Sequence, residues 1–171
     1  ADELRGVPTG FVDLDNKLSG LQKSDLIILA ARPSVGKTSL ALDIARTAAV
    51  HHSVPVLIFS LEMSSQQLLY RMISTHSRVD SWKLRTGKLN LNNSEEYERL
   101  QTGISELSNA PIYIDDQAGT NIVKMRSTAR KIKSERGLGL IVVDYLQLMS
   151  PTQSRNSDNV VQQISEISKS L

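Results

Sequence analysis

Residues 31–38 read Ala-Arg-Pro-Ser-Val-Gly-Lys-Thr and run directly into Ser39-Leu40-Ala41-Leu42, the start of an amphipathic stretch. Backbone N–H groups at a helix start converge on an anion, and the helix dipole strengthens their pull. At this spacing the N–H groups of Val35 to Thr38 wrap a phosphate, and the binding set is Ser34, Val35, Gly36, Lys37, Thr38 and Ser39. The Lys37 ammonium then places a point charge on the β and γ oxygens of a nucleotide, and the Thr38 hydroxyl is a hard oxygen ligand for Mg²⁺. Pro33 lacks an N–H and stands outside the cradle. The common form G-x-x-x-x-G-K-[ST] has glycine where this chain has Ala31, so the loop has to turn within the range open to alanine.

Two carboxylates complement that loop. Asp144 closes the apolar run Leu140-Ile141-Val142-Val143 and is placed at a strand's C-terminal edge, where an acid holds Mg²⁺ through a water. Glu62 follows the run Val56-Leu57-Ile58-Phe59-Ser60 by two residues, at a helix entrance marked by Ser64 and Ser65. A carboxylate there orients and deprotonates an attacking water; a first-turn acid favoured by the helix dipole is the other reading.

The elements that must carry these groups alternate as βα units. Short apolar runs predict strands at Asp25 to Ala30, Pro55 to Ser60, Pro111 to Asp115 and Leu140 to Asp144. Helical patterns follow at Gly36 to His51, Ser64 to Ser77, Ser94 to Leu107 and Asn121 to Arg136, with another from Asp158. Val79 to Leu91 reads as a surface excursion and Ser150 to Asn159 as a polar loop. The fold class is therefore α/β, a mainly parallel sheet flanked by helices.

With 171 residues, no cysteine and 20 Lys plus Arg against 18 Asp plus Glu, the chain reads as one domain (1–171) that needs no disulfides. The net charge of +2 does not itself argue for nucleic acid. No apolar run approaches the ~20 residues of a bilayer span, and no secretory leader pattern is visible, which makes the cytosol the expected compartment. Both ends read as interior to something longer. Lys124, Arg126, Arg130, Lys131, Lys133 and Arg136 give the fourth expected helix a basic surface, solvated or else facing DNA or an acidic neighbour. Gln147 is read as a packing residue or a contact to the γ-phosphate or DNA, while His51, His52 and His76 lack metal-ligand spacing.

Taken together, Gly6-Val7-Pro8-Thr9-Gly10-Phe11, Leu18-Ser19-Gly20-Leu21, the loop at 30–38, Phe59-Ser60-Leu61-Glu62-Met63-Ser64, Ile112-Tyr113-Ile114-Asp115-Asp116 and Val143-Asp144-Tyr145-Leu146-Gln147-Leu148 resemble the bacterial replicative helicases of the DnaB type. The resemblance implies a RecA-like P-loop NTPase fold, truncated at its C-terminus and lacking the family's collar domain. It implies a motor domain that hydrolyses ATP with Mg²⁺ between the subunits of a homo-hexamer and moves on single-stranded DNA to unwind fork DNA, with primase and a helicase loader as partners. Carried over by position, Lys37 and Thr38 match the nucleotide loop, Asp144 the magnesium acid and Glu62 the catalytic glutamate. A recombination or repair ATPase of the same fold, and a nucleotide-binding module without turnover, are the competing readings. Because RecA-like sheets place a further strand between those of the two phosphate-site motifs, the resemblance also implies a central gap, with Asp25 to Ala30 and Leu140 to Asp144 left apart or closed into another register.

Overall fold

Val56–Ser60 (β1) is a β-branched and aromatic run whose five residues are all buried, the signature of a strand covered on both faces. It forms the centre of a three-stranded parallel sheet, in a computed structural model that describes residues 5–32, 34–89, 94–118 and 120–144. Ile112–Asp115 (β2) pairs with one edge of β1, Val56 lying opposite Ile112 and Phe59 opposite Asp115. Leu140–Asp144 (β3) pairs with the other edge, and the register continues to Ser60 opposite Asp144. All three strands therefore end on the same side, where ligands of open α/β sheets gather.

Alternation along β1 divides the core between the two faces. Val56 and Ile58 join Leu42, Ala45, Ala48 and Ala49 of α2 (Lys37–His52), with α3 (Ser65–Ser77) and α5 (Ser94–Asn109) packed outside. Leu57 and Phe59 face Met125 and Ala129 of α6 (Ile122–Arg136). Burying each large side chain of this kind contributes about 1.5–3 kcal/mol. Helices α3 and α5 touch closely: a Cβ on Gly103 would lie 3.0 Å from the Ser77 Cβ.

Two short helices are additions to the expected pattern. Val12–Leu18 (α1) is tied to the preceding turn by Asp15, whose Oδ1 accepts from the Thr9 N–H at 2.9 Å and its hydroxyl at 2.7 Å. Ser81–Thr86 (α4) lies within the expected surface excursion, its N-terminus capped by Asp80 accepting from the Trp82 N–H.

The expected strand at Asp25 to Ala30 is not formed. Among the described residues this segment enters no ladder, and Leu26, Ile27, Ile28 and Leu29 are exposed. Both edges of β1 are taken by β2 and β3, so among the described residues the apolar run 26–29 is not paired into the sheet. The sheet leaves these segments apart rather than closing them into a new register. The helix expected from Asp158, the loop at Ser150 to Asn159 and Gln147 lie outside the described residues.

Candidate active site

The turn that enters α2 takes the left-handed region at Ser34 (φ 64°) and at Gly36 (φ 98°), so this is where the loop reverses. Gly36 is the N-cap of α2 and offers no side chain to cap it, and a Cβ built there would meet nothing within 4 Å. The first i to i−4 bond is the Leu40 N–H to the Gly36 carbonyl at 2.9 Å, so the N–H groups of Thr38 and Ser39 lie ahead of the intrahelical ladder. No acid sits in the first turn of α2. The result is an open, electropositive helix start of the kind that accepts phosphate.

Lys37 and Thr38 converge on Asp144. The Thr38 hydroxyl donates to Asp144 Oδ2 at 2.7 Å, and the Lys37 ammonium lies 3.8 Å from Oδ1. Asp144 is buried and Lys37 partly exposed, so the acid is fixed while the cation can reach outward. One hydroxyl and one carboxylate, both hard oxygen donors, fit Mg²⁺, which takes few protein ligands and completes its shell with water and substrate phosphate. Ser39 is exposed and borders a cleft of about 400 Å³ lined also by Leu42, Asp43, Arg46 and Arg71.

Glu62 reaches the same end of the sheet from β1. The ladder runs one bond past the strand, the Leu61 N–H donating to the Asp144 carbonyl at 2.8 Å, so Glu62 follows directly on that contact with its side chain exposed. The buried Ser60 hydroxyl donates to the Met63 carbonyl at 2.6 Å and accepts from the Met63 N–H at 3.3 Å, which folds residues 60–63 into a tight bend. Ser64 and Gln67 then form a reciprocal capping box at the start of α3. Ser60 was not evident as a site residue from sequence, because a serine closing an apolar strand carries no motif of its own.

Asp116, just past β2, was likewise missed. Its Oδ2 accepts from the Ser65 N–H at 2.6 Å. That backbone donor, and after it the Ser65 hydroxyl, hold the Asp116 carboxyl below the ordinary value of 3.8. The basic residues of α6 are not part of this constellation: Lys124, Arg130, Lys131 and Lys133 are exposed, and the Arg136 guanidinium stacks 5.6 Å from the Tyr113 ring centroid. His76 pairs with Glu106 and with Arg46 rather than with the site.

Residues 6–171 match the family described as the DnaB-like helicase C-terminal domain. A replicative DNA helicase DnaB of Geobacillus stearothermophilus is 49% identical over 169 residues, covering 99% of this chain, and a replicative DNA helicase of Bacillus subtilis is 45% identical over the same length. The chain spans 36% of the length of each of these relatives. Among solved structures, one described as an ATPase domain superposes with a TM-score of 0.90 at 30% identity, covering 99% of this chain and 62% of the other. A DnaB-like replicative helicase described together with its interactions with primase superposes with a TM-score of 0.90 at 29% identity, covering 98% of this chain and 41% of the other.

Proposed function

The chain belongs to the family of DnaB-like helicase C-terminal domains, and from that premise we propose that it binds and hydrolyses Mg·ATP as the RecA-like motor domain of a replicative DNA helicase. The observation that carries this reading is the convergence of the Thr38 hydroxyl and the Lys37 ammonium on Asp144, below an uncapped helix start.

In this reading the N–H groups of Val35 to Thr38 donate to the β-phosphate oxygens, with Ser34 and Ser39 at the borders of the loop, and Lys37 turns from Asp144 to the β and γ oxygens. Thr38 and Asp144 would hold Mg²⁺, which neutralises charge on the phosphates when bound. Glu62 orients a water in line with the γ-phosphorus and takes its proton as the bond to the bridging oxygen breaks and ADP leaves. Residues 1–171 act as one domain in a homo-hexamer that moves on single-stranded DNA, unwinds fork DNA and works with primase and a helicase loader in the cytoplasm. No helix of the described residues is long and apolar enough to cross a membrane.

Titration with a fluorescent ATP analogue tests the assignment. Lys37→Ala removes charge-assisted contacts of about 1.5–3 kcal/mol and should weaken binding roughly tenfold or more. An unchanged Kd in a folded variant would remove the phosphate-loop reading.

A further inference from the structure

Glu62 lies on a short connection between β1 and α3, and its place depends on how that connection is held at each end. The strand side is fixed by the Ser60 bend and by the Leu61 N–H on the Asp144 carbonyl. On the helix side the capping box satisfies the Ser64 and Gln67 N–H groups, but it is local and ties α3 to nothing outside itself. The Ser65 N–H, the first helical donor of α3, goes instead to Asp116, 51 residues along the chain at the end of β2.

We propose that Asp116 is a positioning residue for Glu62: by accepting from Ser65 it anchors the start of α3 to β2, so that the bend at residues 61–64 is held between β3 on one side of β1 and β2 on the other. The proposal rests on the reading of Glu62 as the group that handles the attacking water. A carboxylate on a helix N-terminus is favoured by the dipole and by a charge-assisted bond about twice as strong as a neutral one, and the lowered Asp116 pKa is the mark of that contact. Asp116 itself touches Ser65 and not the phosphate loop in any bond described, so it acts through the backbone. Because proton transfer from water needs near-attack geometry, a displacement of about 1 Å in Glu62 costs turnover while leaving the nucleotide contacts of α2 in place.

The test uses steady-state and single-turnover ATP hydrolysis by the full-length polypeptide that carries this sequence. Asp116→Ala should lower kcat by about ten- to a hundredfold with the nucleotide Kd unchanged. Asp116→Asn, which keeps an acceptor, should recover part of the loss. Ser65→Pro is a second route that spares the fold: proline is well tolerated at the first helical position, and Ser64 already has the extended backbone (φ −67°, ψ 154°) that precedes proline. It removes the N–H that Asp116 accepts and should reproduce the Asp116→Ala defect. In a Glu62→Gln background neither change should lower kcat further. Normal kcat in Asp116→Ala or in Ser65→Pro, or a loss that adds fully to that of Glu62→Gln, would overturn the proposal. Normal turnover by Glu62→Gln alone would instead overturn the underlying reading of Glu62.

Discussion

Thr38 and Asp144, 106 residues apart in sequence, are joined by a hydroxyl-to-carboxylate hydrogen bond of 2.7 Å that links the first turn of α2 to the last residue of β3. The two oxygens of Asp144 are thereby divided, Oδ2 to Thr38 and Oδ1 towards Lys37. A divalent ion entering here meets a carboxylate already oriented.

Asp144→Asn keeps an acceptor for Thr38 but removes the charge. Nucleotide binding in EDTA should stay within about twofold, whereas the tightening produced by Mg²⁺ should fall about tenfold. Paired titrations with and without the metal measure this, and equal losses in both would mean that Asp144 only supports the loop.

Glu62→Gln preserves shape and removes basicity. Nucleotide affinity should hold while turnover in the full-length polypeptide falls by roughly 10² to 10⁴. Near-normal hydrolysis would return Glu62 to its other role, an acid favoured by the N-terminus of α3.

Asp116 gives a pH signature. Its carboxyl is held below the ordinary value of 3.8 in the folded chain, by the Ser65 N–H first and its hydroxyl second. The folded form therefore takes up a proton less readily than the unfolded form. The stabilisation is complete above the unfolded pKa and is lost as pH falls through the folded one. Urea midpoints should drop more steeply as pH falls below about 4 in the parent than in Asp116→Asn. Parallel curves would disprove the contact.

Two isoleucines separate the folded sheet from the unformed strand. Ile58 is 0% exposed in β1 and Ile28 is 68% exposed. Ile58→Ala should cost about 2–5 kcal/mol by urea unfolding, and Ile28→Ala less than about 0.5. A large loss at Ile28 would show that residues 25–30 are packed in solution.

The same contrast marks what could be read from sequence. Lys37, Thr38 and Asp144 were legible because a phosphate loop depends on local spacing between a turn and a helix, and their convergence follows once β3 is parallel to β1. Strands at 56–60, 112–115 and 140–144 were legible because each has a partner in the sheet. Leu26 to Leu29 carries as strong an apolar pattern, yet a strand exists only through its neighbour, and hydrophobicity does not state whether one is at hand. Asp116 lay hidden for a related reason: its acceptor role is set by a donor on another element, and a carboxylate after a strand has no sequence mark of what it will hold. Helix α4 did carry a mark, Asp80 ahead of Trp82, inside the segment read as a surface excursion.

Helix α2 meets the sheet through Ala45, Ala48 and Ala49, each at most 1% exposed, with Val56 and Ile58 opposite. Methyl groups thus act as the spacer between two layers, one bearing Lys37 and Thr38 and the other Asp144. The span from cation to carboxylate is gauged about two to three helical turns away from where it is used. A bulkier side chain at any of these alanines would widen that gauge and shift Lys37 and Thr38 relative to Asp144.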